Sequence, residues 1–464
     1  MIAGCCDRCA LRFAGVREPA AYLLAHTNST CEEEGVERRT AICPICLGCL
    51  QHCVHPDAVA TIVEQLRSSR QQLRSFGLGL SLPVQLLVRE RAAWLWLGLQ
   101  APKTAPLAFE SIVDVKDVMR WSVCEPLSQA LGVPFDPNSE LMIHVGLTHA
   151  ASEGEHHELL RALLPSESNT AKRKRLAQGQ PAEFDSIRNV RRALAHGKQA
   201  DDLLVSSALC PPLSPQQPAM IDVSIEREAV TLTGRYRKLS RVLPQSPWVV
   251  DGARKCEGSV QELITVHAVP LFEATEGKFH SAGREDVDVR MLGDGRPFMI
   301  ELVGPRSPYH EQEEVDALQS KINSCGLIEI EGLRECASNL VSKLMKEGEE
   351  AHRKDYRCIV SLARPVTDAD VQLINTSKEL VAQQLTPMRV LHRRTLMVRQ
   401  RTIHNMTAVR LSGRYLQLDL TTQAGTYVKE FVHGDFGRTV PSLGSLLGCE
   451  TDILQLDVMG LQEP

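Results

Sequence analysis

GREDVDVRMLGDGRPF, residues Gly283 to Phe298, sets four carboxylates and three arginines in sixteen positions. Valines alternate with the acids, and glycines stand near both ends. The run is too charged for a core strand and too patterned for a plain loop, so it reads as a loop held between two strands. Such a loop presents a carboxylate rigidly. Burial raises a carboxylate pKa, and only a cationic neighbour or hydrogen bonds keep the group ionised. For Asp286 the candidate partners are Arg284 and Lys429. An ionised carboxylate that holds no metal can act as a nucleophile or a general base. On spacing alone, an Arg-Asp ion pair at the surface accounts for the same residues.

Working outward, 464 residues are enough for two or three domains. A net charge of -5 and a pI near 6.3 carry no global mark of a nucleic-acid binder, so any polyanion site must be local. No window approaches the roughly 18 apolar residues that a membrane helix needs, and MIAGCCDRCALRF lacks the apolar region of a secretory signal. The expectation is a soluble intracellular protein. Eight of the fifteen cysteines fall in the first 53 residues. In a reducing compartment these suit a metal better than disulfides. CCDRC and CPICLGC each contain C-x-x-C, and two such knuckles suit a tetrahedral zinc site made by Cys6, Cys9, Cys43 and Cys46. Cys5, Cys49, His52 and His55 leave the register open. Four thiolates leave zinc no open position, so the site is structural.

Helical periodicity runs from Asp57 to Leu73, and SLPVQLLVRERAAWLWLGL reads as a strand-rich stretch leading into further helices. The basic run Lys172 to Arg175 is a solvated loop, a contact for RNA or a nuclear-targeting signal. PPLSPQQP, Pro211 to Pro218, reads as the linker between domains, because proline density prevents regular structure. Beyond it, GRYRKLSRVLPQSPW interleaves four basic residues with Tyr236 and Trp248. That pattern suits either an RNA surface or a solvated edge strand. TPMRVLHRRTLMVRQR carries five arginines against the acidic balance of the chain and reads as a phosphate-tracking groove. AGTYVKEFVHGDFGRTVPSLGSLLG begins as a strand, turns at His433 to Gly437 and enters a helix near Pro441. Tyr427 and Lys429 would then share a strand face.

Taken together, GREDVDVRMLGDGRPF, RYRKLSRVLPQSPW, TPMRVLHRR and TYVKEFVHGDFGRTVPS resemble the archaeal and eukaryotic tRNA pseudouridine synthase family known as Pus ten. The paired cysteines with CPICLG are similar to that family's zinc-binding element. The resemblance covers most of the chain, is densest after Gly234 and is thinnest between Pro56 and Ser214. It implies an α+β protein. Residues 1–215 would form a zinc-binding and THUMP-containing accessory RNA-binding domain. Residues 219–464 would form the pseudouridine synthase catalytic domain, on a mixed, mainly antiparallel sheet with flanking helices. Asp286, in R-x-D, would be the catalytic aspartate, with Lys429 as the basic residue that pairs with it. Tyr356 of DYRCIV would stack on the target base, with Tyr427, Arg284, Arg393 and Arg438 as further substrate-binding groups. The implied reaction isomerises uridine 55, and in some members uridine 54, in the TΨC arm of tRNA. The implied protein holds structural zinc, and the reaction needs no organic cofactor. The implied protein is a monomer of the cytoplasm or nucleus, without a membrane. The competing reading is a non-catalytic zinc-containing RNA-binding or scaffold protein. It predicts a substituted aspartate, whereas Asp286 stands in an intact motif. No S-adenosylmethionine loop or SGGxDS loop supports a methyltransferase or a thiouridine synthase.

Overall fold

The computed structural model describes residues 2–25, 41–100, 107–164, 186–337, 353–392 and 394–462. The Lys172 to Arg175 run and Arg393 lie outside the described residues. The chain divides into two compact units, Met1–Arg227 and Glu228–Pro464. The division falls downstream of the Pro211 to Pro218 run, where the sequence suggested it. Strand β3 (Met220–Arg227), which follows the prolines, pairs along its length with β2 (Leu141–Thr148) of the first unit. Backbone pairing, which composition does not report, sets the boundary.

In the first unit, β1 (Gly77–Ser81) runs parallel to β2, and β2 runs antiparallel to β3. Helices Pro56–Ser68 and Val115–Leu131 supply Ile62, Val63, Val118 and Met119 to the core formed with Leu78, Ile143 and Val145. The expected strand-rich stretch after Leu82 is instead helix Gln85–Gln100. Its central charges are spent on tertiary ion pairs: Arg89 with Glu155, Glu90 with Arg12 and Arg91 with Asp201. Arg89 is itself buried on the packed face, so a charge stands among the apolar positions and the pattern gives little indication of which face is buried.

The second unit is built on a ten-stranded sheet in the order β14-β11-β12-β13-β10-β15-β8-β4-β9, with β7 also on β8. Its strands are β4 (Val230–Lys238), β7 (Glu276–Ser281), β8 (Arg290–Val303), β9 (Ile328–Cys336), β10 (Arg353–Leu362), β11 (Lys378–Leu385), β12 (Val398–Ser412), β13 (Tyr415–Thr422), β14 (Thr439–Val440) and β15 (Thr451–Gln462). β5 (Val249–Val250) and β6 (Ala253–Arg254) form a separate small hairpin. Among the described residues the sheet is mixed and mainly antiparallel. The exception is β15 against β8, paired in parallel at Asp457 with Arg290 and Val458 with Met291. At that seam two halves of the sheet meet. Phe298, Ile300 and Leu302 of β8 share one apolar core with Ile264 and Ala268 of helix Val260–Leu271, with Phe272 just beyond its end, and with Leu318 and Ile322 of helix Gln312–Asn323.

β8 leaves β15 after two residue pairs and continues between β4 and β7. Gly293, at φ +57°, makes that departure possible. A Cβ there would lie 1.9 Å from the Met459 carbonyl oxygen of β15. The seam therefore depends on a glycine of the GDG run, and the loop that precedes it, 282–289, projects where the two halves join.

Candidate active site

The 282–289 loop links β7 to β8, as its pattern suggested. It is held from behind by charged groups that the core has fully enclosed. Lys238 of β4 is 0% exposed, and its ammonium donates to the carbonyls of Leu243 (2.8 Å), Asp286 (2.9 Å) and Val287 (3.1 Å). Burial pushes that ammonium down to about 8, against the nearby carboxylates of Glu285, Asp288 and Asp286. Glu285, also buried, accepts from Tyr236 Oη at 2.9 and 3.0 Å and from Arg296 Nε at 3.0 Å. Gln245 completes the brace, donating to Tyr236 Oη and to the Gly283 carbonyl. β4 is thus an interior strand, and Tyr236 and Lys238 are structural supports. Neither the RNA surface nor the solvated edge strand suggested for GRYRKLSRVLPQSPW describes them.

On the open side the Asp286 carboxylate is partly exposed. Its Oδ2 accepts from Arg389 Nη1 at 2.9 Å and lies 3.4 Å from Lys429 Nζ. Lys429 is closer to Asp288, at 2.7 and 2.9 Å. Burial opposes ionisation of Asp288, but the hydrogen bond and charge of Lys429 hold it below the usual carboxylate range. Arg389 also donates through Nε to Glu430 at 2.7 Å. Lys429 and Glu430 lie in the first turn of helix Val428–His433, so the chain is helical from Val428 where a strand was expected, with Tyr427 the extended residue before it. Val428, Phe431 and Val432 are buried together at helical spacing, and six residues are too few to make that period stand out. The start of the helix is clamped by the buried Gln384 side chain, which bonds both the N–H and the carbonyl of Tyr427 at 2.9 Å. The geometry is one carboxylate, open on one side, between two cations on a braced loop.

Two family descriptions match the chain: "Pus10, C-terminal" over residues 231–462 and "Eukaryotic Pus10, N-terminal" over residues 43–224. The Xenopus laevis protein called tRNA pseudouridine synthase Pus10 is 38% identical, with 98% of this chain and 94% of the relative aligned. This chain belongs to the Pus10 family. The Homo sapiens protein of the same name is 39% identical across 94% of this chain and 80% of its own length. The Thermofilum pendens relative is 40% identical over 52% of this chain and 54% of its own. As a Pus10 protein the chain is an isomerase of the pseudouridine synthase class.

Within this Pus10 chain the anticipated residues are placed unequally. Asp286 and Lys429 come together, although Asp288 and Arg389 are their nearer partners. Arg284 is exposed and makes no hydrogen bond or ion pair among the described residues. Tyr356, half-buried on β10, interacts electrostatically with Arg296 of the brace behind Asp286; burial drives its hydroxyl up to about 12, which Arg296 opposes. Tyr427 is half-buried at the start of the 428–433 helix. Arg438 is committed to the chain itself, donating to the Thr386 carbonyl at 2.6 Å, with Nε 3.4 Å from Asp435 Oδ2. Four important residues were not singled out from sequence: Lys238, Glu285, Arg389 and Glu430. For Arg389 a signal existed, since it lies in the arginine-dense 386–401 run.

In the N-terminal unit the sulfurs of Cys6, Cys9, Cys43 and Cys46 all lie within 4.8 Å of one another, and Cys6 and Cys46 are 3.9 Å apart. Tetrahedral zinc with Zn–S near 2.3 Å sets sulfurs about 3.8 Å apart, so the cluster fits such an ion. Cys5, Cys49, His52 and His55 are not members of this group. The buried Arg12 donates to Cys9 Sγ at 3.7 Å, placing a cation beside the thiols.

Proposed function

We propose that this chain isomerises uridine to pseudouridine in the TΨC arm of tRNA, at uridine 55, with uridine 54 the further target in some members of the family, and that Asp286 is the catalytic carboxylate. The observation that carries this reading is the open Asp286 carboxylate, fixed by Lys238 through its own carbonyl and flanked by Arg389 and Lys429, in a chain of this family. The reaction breaks the bond from N1 to C1′, turns the uracil and joins C5 to C1′. It is redox-neutral. The target base must leave its stack, at a cost of about a few kcal/mol. Stacking on a ring such as Tyr356, worth roughly 1–3 kcal/mol, offsets much of that cost. Asp286 then adds to C1′ or removes the 2′ proton, with Arg389 and Lys429 beside its carboxylate.

In this reading Arg284, free and exposed, meets the phosphate of the flipped nucleotide, and Arg393 extends the basic track of the 386–401 run. Arg438 serves substrate binding by holding the Thr386 end of that track. The N-terminal unit acts as a THUMP-containing accessory RNA-binding domain whose four cysteines hold structural zinc. The protein works as a monomer in the cytoplasm or nucleus; among the described residues no helix is long and apolar enough to cross a membrane.

The test is incubation of the purified protein with an unmodified tRNA transcript, mapping pseudouridine by carbodiimide labelling and primer extension, with Asp286→Ala in parallel. Pseudouridine at position 54 or 55 from the wild type alone is the expected result. Binding without any modified site would leave the RNA-binding scaffold as the account.

A further inference from the structure

We infer that Arg389 is the principal positioning residue for Asp286 and that the buried Glu430 acts through it, an inference that rests on the reading of Asp286 as the catalytic carboxylate. Two cations face Asp286. Lys429 is mostly engaged elsewhere, 2.7 and 2.9 Å from the Asp288 oxygens but 3.4 Å from Asp286, whereas Arg389 Nη1 makes a direct hydrogen bond to Asp286 at 2.9 Å. Lys238 binds the Asp286 backbone carbonyl and not its carboxylate.

Arg389 is aimed by a carboxylate that has little freedom. Glu430 is 2% exposed, Oε1 accepts from Arg389 Nε at 2.7 Å, and Oε2 is buried without a hydrogen-bond partner among the described residues. A buried carboxylate is tolerated only with a compensating partner, so Glu430 fixes where the guanidinium must lie. The backbone beneath is fixed as well. Met388 N donates to Asp435 Oδ2 at 3.3 Å, and Arg438 holds the Thr386 carbonyl. Nε of the guanidinium is thereby spent on Glu430 and Nη1 on Asp286, a division that a planar fork permits and a point-charge ammonium does not.

Single-turnover pseudouridine formation at saturating tRNA would be compared for wild type, Arg389→Met, Arg389→Lys, Glu430→Gln and the Arg389→Met/Glu430→Gln double variant, with tRNA Kd measured alongside. Loss of orientation at the reacting group is expected to lower the rate about 100-fold in R389M, with Kd changed less than about threefold. E430Q should fall roughly tenfold, R389K should not restore the rate, and the double variant should match R389M within about twofold, since a residue acting through another adds nothing once that partner is gone. Multiplying losses in the double variant would overturn the relay. An unchanged saturated rate with weakened, less salt-sensitive binding would make Arg389 a phosphate contact instead. A second readout does not depend on turnover: the 13C carboxyl resonance of Asp286, assigned with Asp286→Asn. It should move in R389M and in E430Q, and adding E430Q to R389M should move it no further. An unmoved resonance would refute the contact even if the protein makes no pseudouridine, whereas a moved resonance without turnover would refute only the catalytic reading.

Discussion

Replacing Lys238 with methionine tests the claim that the Asp286 loop is held from inside the core. The ammonium is fully buried and donates to three carbonyls, at 2.8 to 3.1 Å. Methionine fills a similar volume but donates nothing. A buried carbonyl left without a donor costs about 1–3 kcal/mol. The Leu243 carbonyl bears that in full, whereas the Asp286 and Val287 carbonyls lie in a half-buried loop that water can reach. The expected net loss is roughly 2–4 kcal/mol. For a unit of this size each kcal/mol lowers Tm by about 2–4 °C, so a fall of roughly 5–15 °C follows for the C-terminal unit. Linkage adds a pH signature. The folded ammonium titrates at about 8, against 10.5 for a free lysine. Between those values the unfolded chain binds more protons than the folded one, so stability of the wild type rises with pH across that window. The methionine variant lacks this contribution. The wild type should therefore gain on it by about 3 kcal/mol from pH 8 to 10.5, with no such change below pH 8. Urea unfolding followed across pH 6.5 to 10.5, with single-turnover rates at a temperature where both proteins are folded, reads all of this. A variant that melts within about 2 °C of wild type, keeps its rate within about threefold and shows a pH-independent gap would refute the argument.

The seam glycine offers a sharper steric test. Gly293→Ala must either move β15 or break the β8 departure, since the new methyl would lie 1.9 Å from the Met459 carbonyl oxygen at φ +57°. It should cost about 3 kcal/mol or more, whereas Gly413→Ala, at φ +40° with open space around it, should cost only about 1 kcal/mol. Equal losses by thermal denaturation would show that the seam is not constrained. At the cysteine cluster, Cys46→Ser should lower bound zinc well below about one ion per chain and destabilise the N-terminal unit, because metal affinity there is folding free energy. Cys49→Ser should leave the zinc stoichiometry unchanged, and emission spectrometry of the purified variants decides between these ligand sets.

Much of the chemistry was legible in sequence because it depends on residue types at short spacing. The two C-x-x-C knuckles named Cys6, Cys9, Cys43 and Cys46, and the acid-valine alternation marked the 282–289 loop between two strands. The mixed, mainly antiparallel sheet was also anticipated. Elements were misread where local pattern was weak. The six-residue helix at Val428 passed for a strand, and helix Gln85–Gln100 hid its buried face behind charges that meet partners far along the chain.

By itself, then, the sequence determined the family, the zinc-suited cysteines and the candidate carboxylate Asp286, since each is carried by short motifs of closely spaced residues. Only the tertiary structure decided which cation meets that carboxylate. Arg389 is 103 residues from Asp286 and Glu430 is 41 residues from Arg389. It also decided that Lys238 and Tyr236 lie inside the core and brace the loop, because β4 is enclosed by β8 and β9. Sequence displays charge wherever it occurs. Whether a charge meets water, RNA or a buried carbonyl depends on which strands cover it.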